Sequence, residues 1–299
     1  MRLSETAIDL VYLKFNCCGT RFIRFFAAMA LEVCSINSGS NGNCYYLGNN
    51  QEAVLVDVGI SCREVENRMQ HLGLSMQKVK AIFVSHEHSD HIRGIPRLSK
   101  KYNLPVYITP ATKRGGRLLL HGQQVFPFNA HHPVQIGSIA VTGFPKFHDA
   151  SDPYSFIVEC SGVRVGVFTD LGKCCEQLIR YFQQCHAAIL ESNYDTAMLE
   201  SGSYPYYLKR RIRGGLGHLS NDEALSLFKN YRPAHMSHLI LAHLSKENNC
   251  PKLVHELFLG CAGNTHITVA SRDRATEILK IGKIAPAQRH IQQLELLFS

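Results

Sequence analysis

The segment from His86 to His91, His-Glu-His-Ser-Asp-His, is the feature that most constrains this chain. It directly follows the apolar run from Val79 to Val84, a pattern typical of a buried strand that ends in a polar turn. Three imidazoles and two carboxylates, those of Glu87 and Asp90, so close together suit Zn²⁺, Mn²⁺ or Fe. A solvated histidine-rich turn is the alternative, but scattered surface histidines would not need this spacing. We therefore predict a metal centre at the rim of a β-sheet.

Apolar runs of strand length fall into two groups along the chain, with helical patterns between them. The first group covers residues 31–36, 44–47, 53–58, 79–84 and 106–109; the second covers residues 139–144, 155–160, 163–169, 187–191, 239–242 and 267–270. Helices are predicted at residues 62–71, after the N-cap residue Ser61, at 92–102, near 110–121 and at 221–230. This arrangement predicts an α+β fold in which two packed mixed sheets are flanked by helices, an αββα sandwich.

The domain organisation follows from length and composition. A chain of 299 residues with 45% hydrophobic residues has room for one large domain or two small ones. We expect the folded domain to cover residues 29–282. Residues 1–28 are expected to be an N-terminal extension that is read from an upstream start codon, because Arg21 and Arg24 interrupt the apolar stretch that a signal segment needs. A targeting segment is the alternative. Residues 283–299 are amphipathic and predict a docked C-terminal helix.

Cysteine usage and charge bear on compartment and partner. The 11 cysteines are odd in number and include adjacent pairs, at 17–18 and 174–175, which argues against a secreted disulfide framework. A reducing cytoplasm is therefore expected. The formal net charge of +8 modestly favours a polyanionic partner. No apolar run reaches about 18 residues, so we expect no membrane helix.

Four further segments complete a pattern that begins with residues 86–91. Asp57 stands in Leu-Val-Asp-Val-Gly, His148 in Phe-His-Asp, Asp170 in Phe-Thr-Asp-Leu-Gly and His243 in Leu-Ala-His-Leu-Ser. In identity and order, over residues 30–280, these anchors resemble the signature of the metallo-β-lactamase fold hydrolases. The resemblance implies the αββα fold and hydrolytic chemistry, and it is less specific for the substrate.

The same resemblance implies two divalent metal ions, Zn²⁺ or Mn²⁺, which would hold an attacking hydroxide between them. The implied ligands are His86, His88 and His148 for the first ion, Asp90, His91 and His243 for the second, and Asp170 for both. Taken alone, His148 and His243 would suit a structural role equally well. Asp57 is implied to orient the metal-binding loop rather than to bind an ion; a turn aspartate before Gly59 is the alternative.

Glu191 and His218 are predicted to act beside the metals. In phosphodiesterases of this fold a glutamate and a histidine that binds no metal form a pair, and the resemblance carries this pair to Glu191 and His218. An imidazole that donates a proton to the leaving oxygen eases its departure, and a neighbouring carboxylate favours the charged form. With Asp90 these are the predicted catalytic residues. The alternatives are that His218 caps the helix beginning near Ser220 and that Glu191 is a turn residue.

Four short segments resemble segments of the YycJ/WalJ-type branch and narrow the resemblance to that branch of the family. They are Ser-Asn-Gly-Asn-Cys-Tyr at 40–45, Ser-His-Glu-His-Ser-Asp-His at 85–91, Gly-His-Leu-Ser-Asn at 217–221 and Leu-Ser-Lys-Glu-Asn-Asn at 244–249. The branch implies a metal-dependent 5′→3′ exonuclease acting on DNA. A small-molecule cyclic phosphodiesterase and an RNA-processing nuclease remain alternatives. A catalytically inert protein is less compatible with the sequence, because every implied ligand position carries a residue that can bind a metal. The oligomeric state is open.

Contacts to a nucleic acid are predicted from polar and basic segments. The predicted substrate-binding residues are Ser40, Asn41, Ser245 and Asn248. The basic run at 209–215, Lys-Arg-Arg-Ile-Arg-Gly-Gly, is interpreted as a loop that contacts phosphates, and a solvated charged face is the equal alternative. The candidates for stacking on bases are Tyr204, Tyr206 and Tyr207.

Overall fold

The computed structural model describes residues 31–120 and 124–282. The predicted extension at 1–28 and the predicted helical tail at 283–299 lie outside the described residues. The first half contains β1 (Leu31–Asn37), β2 (Cys44–Gly48), β3 (Ala53–Val56), α1 (Cys62–His71), β4 (Val79–Phe83), α2 (Ser89–Ile92), α3 (Ile95–Tyr102), β5 (Val106–Tyr107), α4 (Pro110–Gly115) and β6 (Val125–Phe126). A short 3₁₀ turn, Met76–Lys78, precedes β4.

The second half repeats the alternation of strands and helices. It contains β7 (Pro133–Ile136), β8 (Ile139–Pro145), β9 (Tyr154–Cys160), β10 (Val163–Phe168), α5 (Glu176–Phe182), β11 (Ala187–Glu191), α6 (Thr196–Ser201), α7 (Tyr206–Arg213), α8 (Asn221–Tyr231), β12 (His238–Ala242), α9 (Pro251–Leu259), β13 (His266–Val269) and β14 (Leu279–Ile281).

The strands form two sheets with the same pairing pattern. The first sheet has the order β14-β1-β2-β3-β4-β5-β6, and the second has the order β7-β8-β9-β10-β11-β12-β13. In each sheet, read in these directions, the first three pairings are antiparallel and the last three are parallel. The two sheets are thus topologically equivalent, with β14 from the C-terminal part of the chain completing the first sheet, although no repeat is visible in the sequence.

Three apolar layers hold these sheets between helices. The inner faces of both sheets share one core, in which Phe83 stacks on Tyr107 and meets Phe156 edge to face. The outer face of the first sheet packs on α1 and α3, and the outer face of the second packs on α5, α8 and α9. The predicted αββα sandwich of two mixed sheets is confirmed.

Several element boundaries differ from the prediction. The predicted helix at 92–102 is two helices, because the amide of Gly94 donates to the Val58 carbonyl at 2.8 Å and the Asp90 carbonyl accepts from Asn43, which interrupts the helical hydrogen bonds. Helix α3 then begins with Pro96 in its first turn, where no amide hydrogen is needed. The helix expected near 110–121 ends at Gly115.

The prediction of a loop for the basic run at 209–215 is wrong. Most of this run belongs to helix α7, which begins after Pro205 and ends at Arg213 before two glycines. Leucine, lysine and arginine are strong helix formers, so the segment forms a helix although its charge pattern suggested an exposed loop.

Among the described residues, neither a membrane-spanning helix nor a disulfide bond is found. None of the described helices combines the length and hydropathy needed to cross a bilayer. All cysteines between Cys34 and Cys261 that the structure describes are free thiols.

Replacing Phe156 by alanine is expected to lower the free energy of unfolding by about 3–5 kcal/mol, because the side chain fills the core between the sheets. Phe156 is 1% exposed and packs against Phe83 and Phe128. Urea denaturation measures the change. The control Leu119→Ala alters a side chain that is 91% exposed and should shift stability by less than about 0.5 kcal/mol. Equal small effects would contradict this packing of the sheets.

Candidate metal centre

Three strands end in residues with a left-handed backbone, and these residues reach one edge of the sandwich. Asp57 follows β3 with φ 60°, Asp170 follows β10 with φ 55° and His243 follows β12 with φ 57°. Such a conformation costs about 1–3 kcal/mol for a residue with a side chain, and it persists only where the surroundings impose it. The sharp change of direction stops each strand and brings the three side chains close to the loop after β4.

The first triad consists of His86, His88 and His148. The Nδ1 atom of His88 lies 3.1 Å from Nε2 of His86 and 3.3 Å from Nε2 of His148. The Nδ1 of His148 donates to the Gly217 carbonyl at 3.0 Å, which leaves Nε2 directed at the triad. Burial lowers the pKa of His86 well below its usual value and that of His148 to about 4. Both rings are therefore neutral near pH 7, the form that binds metals.

The second triad consists of Asp90, His91 and His243. Oδ2 of Asp90 lies 3.6 Å from Nε2 of His91 and 3.8 Å from Nε2 of His243. Asp170 joins this triad to the first, since its Oδ1 is 3.5 Å from His243 Nε2 and 3.9 Å from His148 Nε2. The structure therefore brings all seven predicted ligands together, with Asp170 between the triads.

Charges in the second triad are strongly coupled. Burial opposes ionisation of Asp170, but His243 and His91 outweigh it and hold the pKa of the carboxyl well below its usual value. Burial likewise opposes the charged form of His243, yet Asp170, the Asp90 carboxylate 3.8 Å from Nε2 and a hydrogen bond from Nδ1 to Glu191 raise its pKa to about 10. Protons on the buried imidazoles balance the carboxylates here, and a bound cation would replace them.

The residues present fit divalent cations. Oδ2 of Asp170 and Nε2 of His243 are buried without a hydrogen-bond partner among the described residues, although His91 Nε2 lies 3.2 Å from the former. A buried polar atom left unpaired costs about 1–3 kcal/mol, so such atoms call for a ligand. Imidazole and carboxylate donors without thiolate suit Zn²⁺ and Mn²⁺.

Asp57 contacts a candidate ligand, His91, and is not itself a member of either triad. Its Oδ1 accepts from the Ser85 amide at 2.8 Å, and its Oδ2 accepts from Ser85 Oγ and His91 Nδ1, both at 2.7 Å. The bond to Nδ1 leaves Nε2 of His91 directed at the second triad. This placement matches the orienting role expected from sequence, which the geometry supports and binding measurements can test.

Glu191 and His218 form a close pair beside both triads. Oε1 of the fully buried Glu191 accepts from Nδ1 of His218 at 2.8 Å and from Nδ1 of His243 at 2.8 Å. Burial raises the pKa of this carboxyl, but His218 and His243 outweigh it and lower the value to about 2. The second bond was not anticipated from sequence, and it means that Glu191 also orients a candidate metal ligand.

His218 is not a helix cap. Helix α8 is capped by Ser220, whose side chain and Glu223 form a reciprocal capping box. The ring of His218 lies 5.4 Å from that of His148 and 5.1 Å from that of His243, measured between centroids. Its Nδ1 is held by Glu191, so Nε2 is the nitrogen available for chemistry.

Asn43 and Lys146 were missed in the sequence. Nδ2 of Asn43 donates to Asp90 Oδ2 at 3.2 Å and lies 3.0 Å from His91 Nε2. The shared piece at 40–45 held this signal, because Asn43 is the turn residue that directly precedes buried strand β2. Lys146 is buried and donates to the Thr169 carbonyl at 2.6 Å, and no sequence pattern marks it.

The four predicted substrate-binding residues differ in burial and in hydrogen-bond partners. Ser40 is exposed, and Asn41 is tied to the carbonyl of Arg272 by a bond of 2.9 Å from Nδ2. Ser245 Oγ accepts from the amide of Asn248 at 3.2 Å, and Asn248 is buried. A role of these residues in substrate binding stays a prediction.

Fold and site together define the class of this protein. The chain belongs to the beta-lactamase superfamily, because the model of the beta-lactamase superfamily domain matches residues 52–243. It is 34% identical over 228 residues to the exodeoxyribonuclease YycJ of Bacillus anthracis, which covers 75% of this chain and 86% of that protein. The resemblance to this branch of metal-dependent hydrolases is confirmed.

Two further comparisons agree with this family assignment. The exodeoxyribonuclease WalJ of Streptococcus pneumoniae serotype 2 is 29% identical over 257 residues, which covers 82% of this chain and 96% of that protein. The crystal structure of the metallo-β-lactamase fold protein YhfI from Bacillus subtilis superposes with a TM-score of 0.64 at 17% identity, covering 83% of this chain and 99% of that chain. The last likeness establishes the fold. Fold and ligand groups together support a site for divalent metal ions.

Asp57→Asn is expected to weaken metal binding about 10–100-fold. Asparagine has one acceptor oxygen, so its NH₂ group would face either the Ser85 amide or His91 Nδ1, and both of these are donors. Competition with a chromophoric chelator measures the affinity. Asp273→Asn, which changes an exposed aspartate, is the matched control and should bind like the wild type. Wild-type affinity in the Asp57 variant would show that His91 needs no such support.

Proposed function

We propose that this protein is a metal-dependent exodeoxyribonuclease that removes nucleotides from the 5′ end of DNA. The observation that carries the proposal is the His218–Glu191 pair beside the two triads, in a chain similar to YycJ over most of its length. Hydrolysis of a β-lactam or a thioester does not call for such a pair, whereas an alkoxide leaving group does. The free thiols of the described residues support our further proposal of a cytoplasmic location.

We propose two ions, Zn²⁺ or Mn²⁺. The proposed ligands are His86, His88 and His148 for one ion, Asp90, His91 and His243 for the other, and Asp170 for both. Bound divalent cations supply Lewis-acid stabilisation of a phosphoryl group and lower the pKa of water. Asp57 orients His91, and Glu191 orients His243.

The hydrogen bond between Glu191 and His218 supports a role for His218 in bond cleavage. Glu191 stays ionised and holds the Nδ1 hydrogen of His218, so that Nε2 faces outward from the pair. Water adds to phosphorus and loses one proton to the solvent, and the bond from phosphorus to the 3′ oxygen of the terminal nucleotide breaks. Nε2 of His218 delivers a proton to that oxygen and regains one from the solvent. Such general-acid assistance is worth about 10²–10⁴-fold in rate.

The metal-loaded protein is expected to release labelled mononucleotide early from a 5′-labelled linear DNA duplex. A chelator should abolish the release, because the proposed centre then holds no cation, and Zn²⁺ or Mn²⁺ should restore it. A matched RNA strand and a cyclic nucleotide are the controls. Intact DNA alongside a hydrolysed cyclic nucleotide would contradict the proposal and indicate a cyclic phosphodiesterase; preferential RNA cleavage would indicate an RNA-processing nuclease.

His218→Ala is expected to slow DNA cleavage by about 10²-fold or more while sparing bis(p-nitrophenyl) phosphate, whose leaving group departs without a proton. Metal content should be unchanged, because His218 is outside the proposed ligand set. His88→Ala should lose metal and both activities. Elemental analysis and the two assays measure these effects. Equal metal loss in both variants would show that the division of roles is wrong.

A further inference from the structure

Helix α7 presents aromatic side chains to solvent next to the candidate metal centre. Tyr206 is 70% exposed and Tyr207 is 74% exposed, so two adjacent rings lie open to solvent. Side chains three and four positions apart share a side of a helix, so Arg210 and Arg211 continue the surface begun by the tyrosines. We call Tyr206, Tyr207, Arg210 and Arg211 the α7 face.

The α7 face carries positive charge. The helix has four basic residues and no acidic one, in the sequence Tyr-Tyr-Leu-Lys-Arg-Arg-Ile-Arg. Glu200 engages two of them, through an ion pair with Arg213 and a bond of 2.6 Å from Lys209 to its carbonyl. Arg210 is exposed and has no ion pair within residues 31–120 and 124–282. The charge therefore suits a polyanion.

Direct contacts connect this helix to the catalytic groups. Nε of Arg211 lies 2.6 Å from Oδ2 of Asp149, and Oδ1 of the same carboxylate lies 3.4 Å from Nε2 of His148. The amide of His218 donates to the Ile212 carbonyl at 2.8 Å. The end of α7 is thus fixed against the first triad and the proposed proton donor. The helix runs about 12 Å from there, at 1.5 Å per residue, which is the length of a few nucleotides.

We infer that the α7 face binds single-stranded DNA and guides it to the metal centre. Tyr206 and Tyr207 stack on unpaired bases, and Arg210 contacts a phosphate. Stacking needs bases whose faces are free, which excludes an intact duplex as the occupant. The inference rests on the proposed exonuclease function and names the form of substrate that the surface recognises.

Binding of fluorescein-labelled phosphorothioate oligo-dT, whose linkages resist hydrolysis, to the metal-loaded protein tests the inference, because anisotropy reports binding without catalysis. The double variant Tyr206→Ala/Tyr207→Ala should bind about tenfold more weakly or worse, and Tyr206→Phe/Tyr207→Phe should retain binding, since stacking needs only the ring. Arg210→Gln should lower the slope of log affinity against log salt by about 0.7. Lys252→Gln, at a site 83% exposed on α9, is the matched charge control and should leave the slope unchanged.

The outcomes separate this inference from the proposed function. Hydrolysis of bis(p-nitrophenyl) phosphate by the loaded variants should equal that of the wild type, which shows that they are folded and that their metal centre is intact. If the wild type cleaves DNA and the alanine variant binds oligo-dT normally, the inference is wrong and the exonuclease function stands. If the alanine variant loses binding but the wild type leaves DNA intact, the binding surface stands and the exonuclease function falls. A wild-type dimer that becomes monomeric in the alanine variant with unchanged DNA binding would also overturn the inference, by making the face a self-association surface.

Discussion

One buried carboxylate, that of Glu191, joins the parts of the site that lie in the second sheet. Its Oε1 holds both His218 and His243, and its Oε2 accepts from the amides of Leu171 at 2.7 Å and Leu219 at 3.2 Å. Those amides belong to the residue after Asp170 and the residue after His218. Glu191 ends β11, which lies between β10 and β12, so it reaches the ends of both neighbouring strands. The left-handed turn at Asp170 and the orientation of two imidazoles therefore depend on the same group.

The electrostatics of the site follow from this crowding of acids. Asp57, Asp90, Asp170 and Glu191 lie close together, and the buried Lys146 is near them, with a pKa lowered by burial. Charged imidazoles at His91 and His243 make up part of the difference. Isolated buried charges are costly, so the chain keeps an excess of carboxylates only where something positive binds. Divalent ions at the proposed triads would meet this requirement.

The sandwich could be predicted from the sequence because it rests on local signals, and the candidate ligands, which came from the resemblance to a family signature, lie together in the structure. Apolar runs mark the strands, and the residues that follow them, such as Asp170 and His243, reach a common edge when the strands lie side by side. Contacts between distant segments carried no such signal. The second bond of Glu191, the approach of Asn43 to Asp90 and the burial of Lys146 depend on which loops meet in three dimensions. Helix α7 was mistaken for a loop because its charges were weighed above its helix propensity.

The candidate ligand groups come from both topologically equivalent sheets. His86, His88, Asp90 and His91 follow β4 of the first sheet, whereas His148, Asp170 and His243 follow β8, β10 and β12 of the second. A cation held by both sets is therefore a non-covalent cross-link between the sheets at their shared edge. Because such a ligand binds the folded chain in preference to the unfolded chain, its affinity adds directly to folding stability. The thermal resistance of this fold is thus coupled to the metal supply of its surroundings.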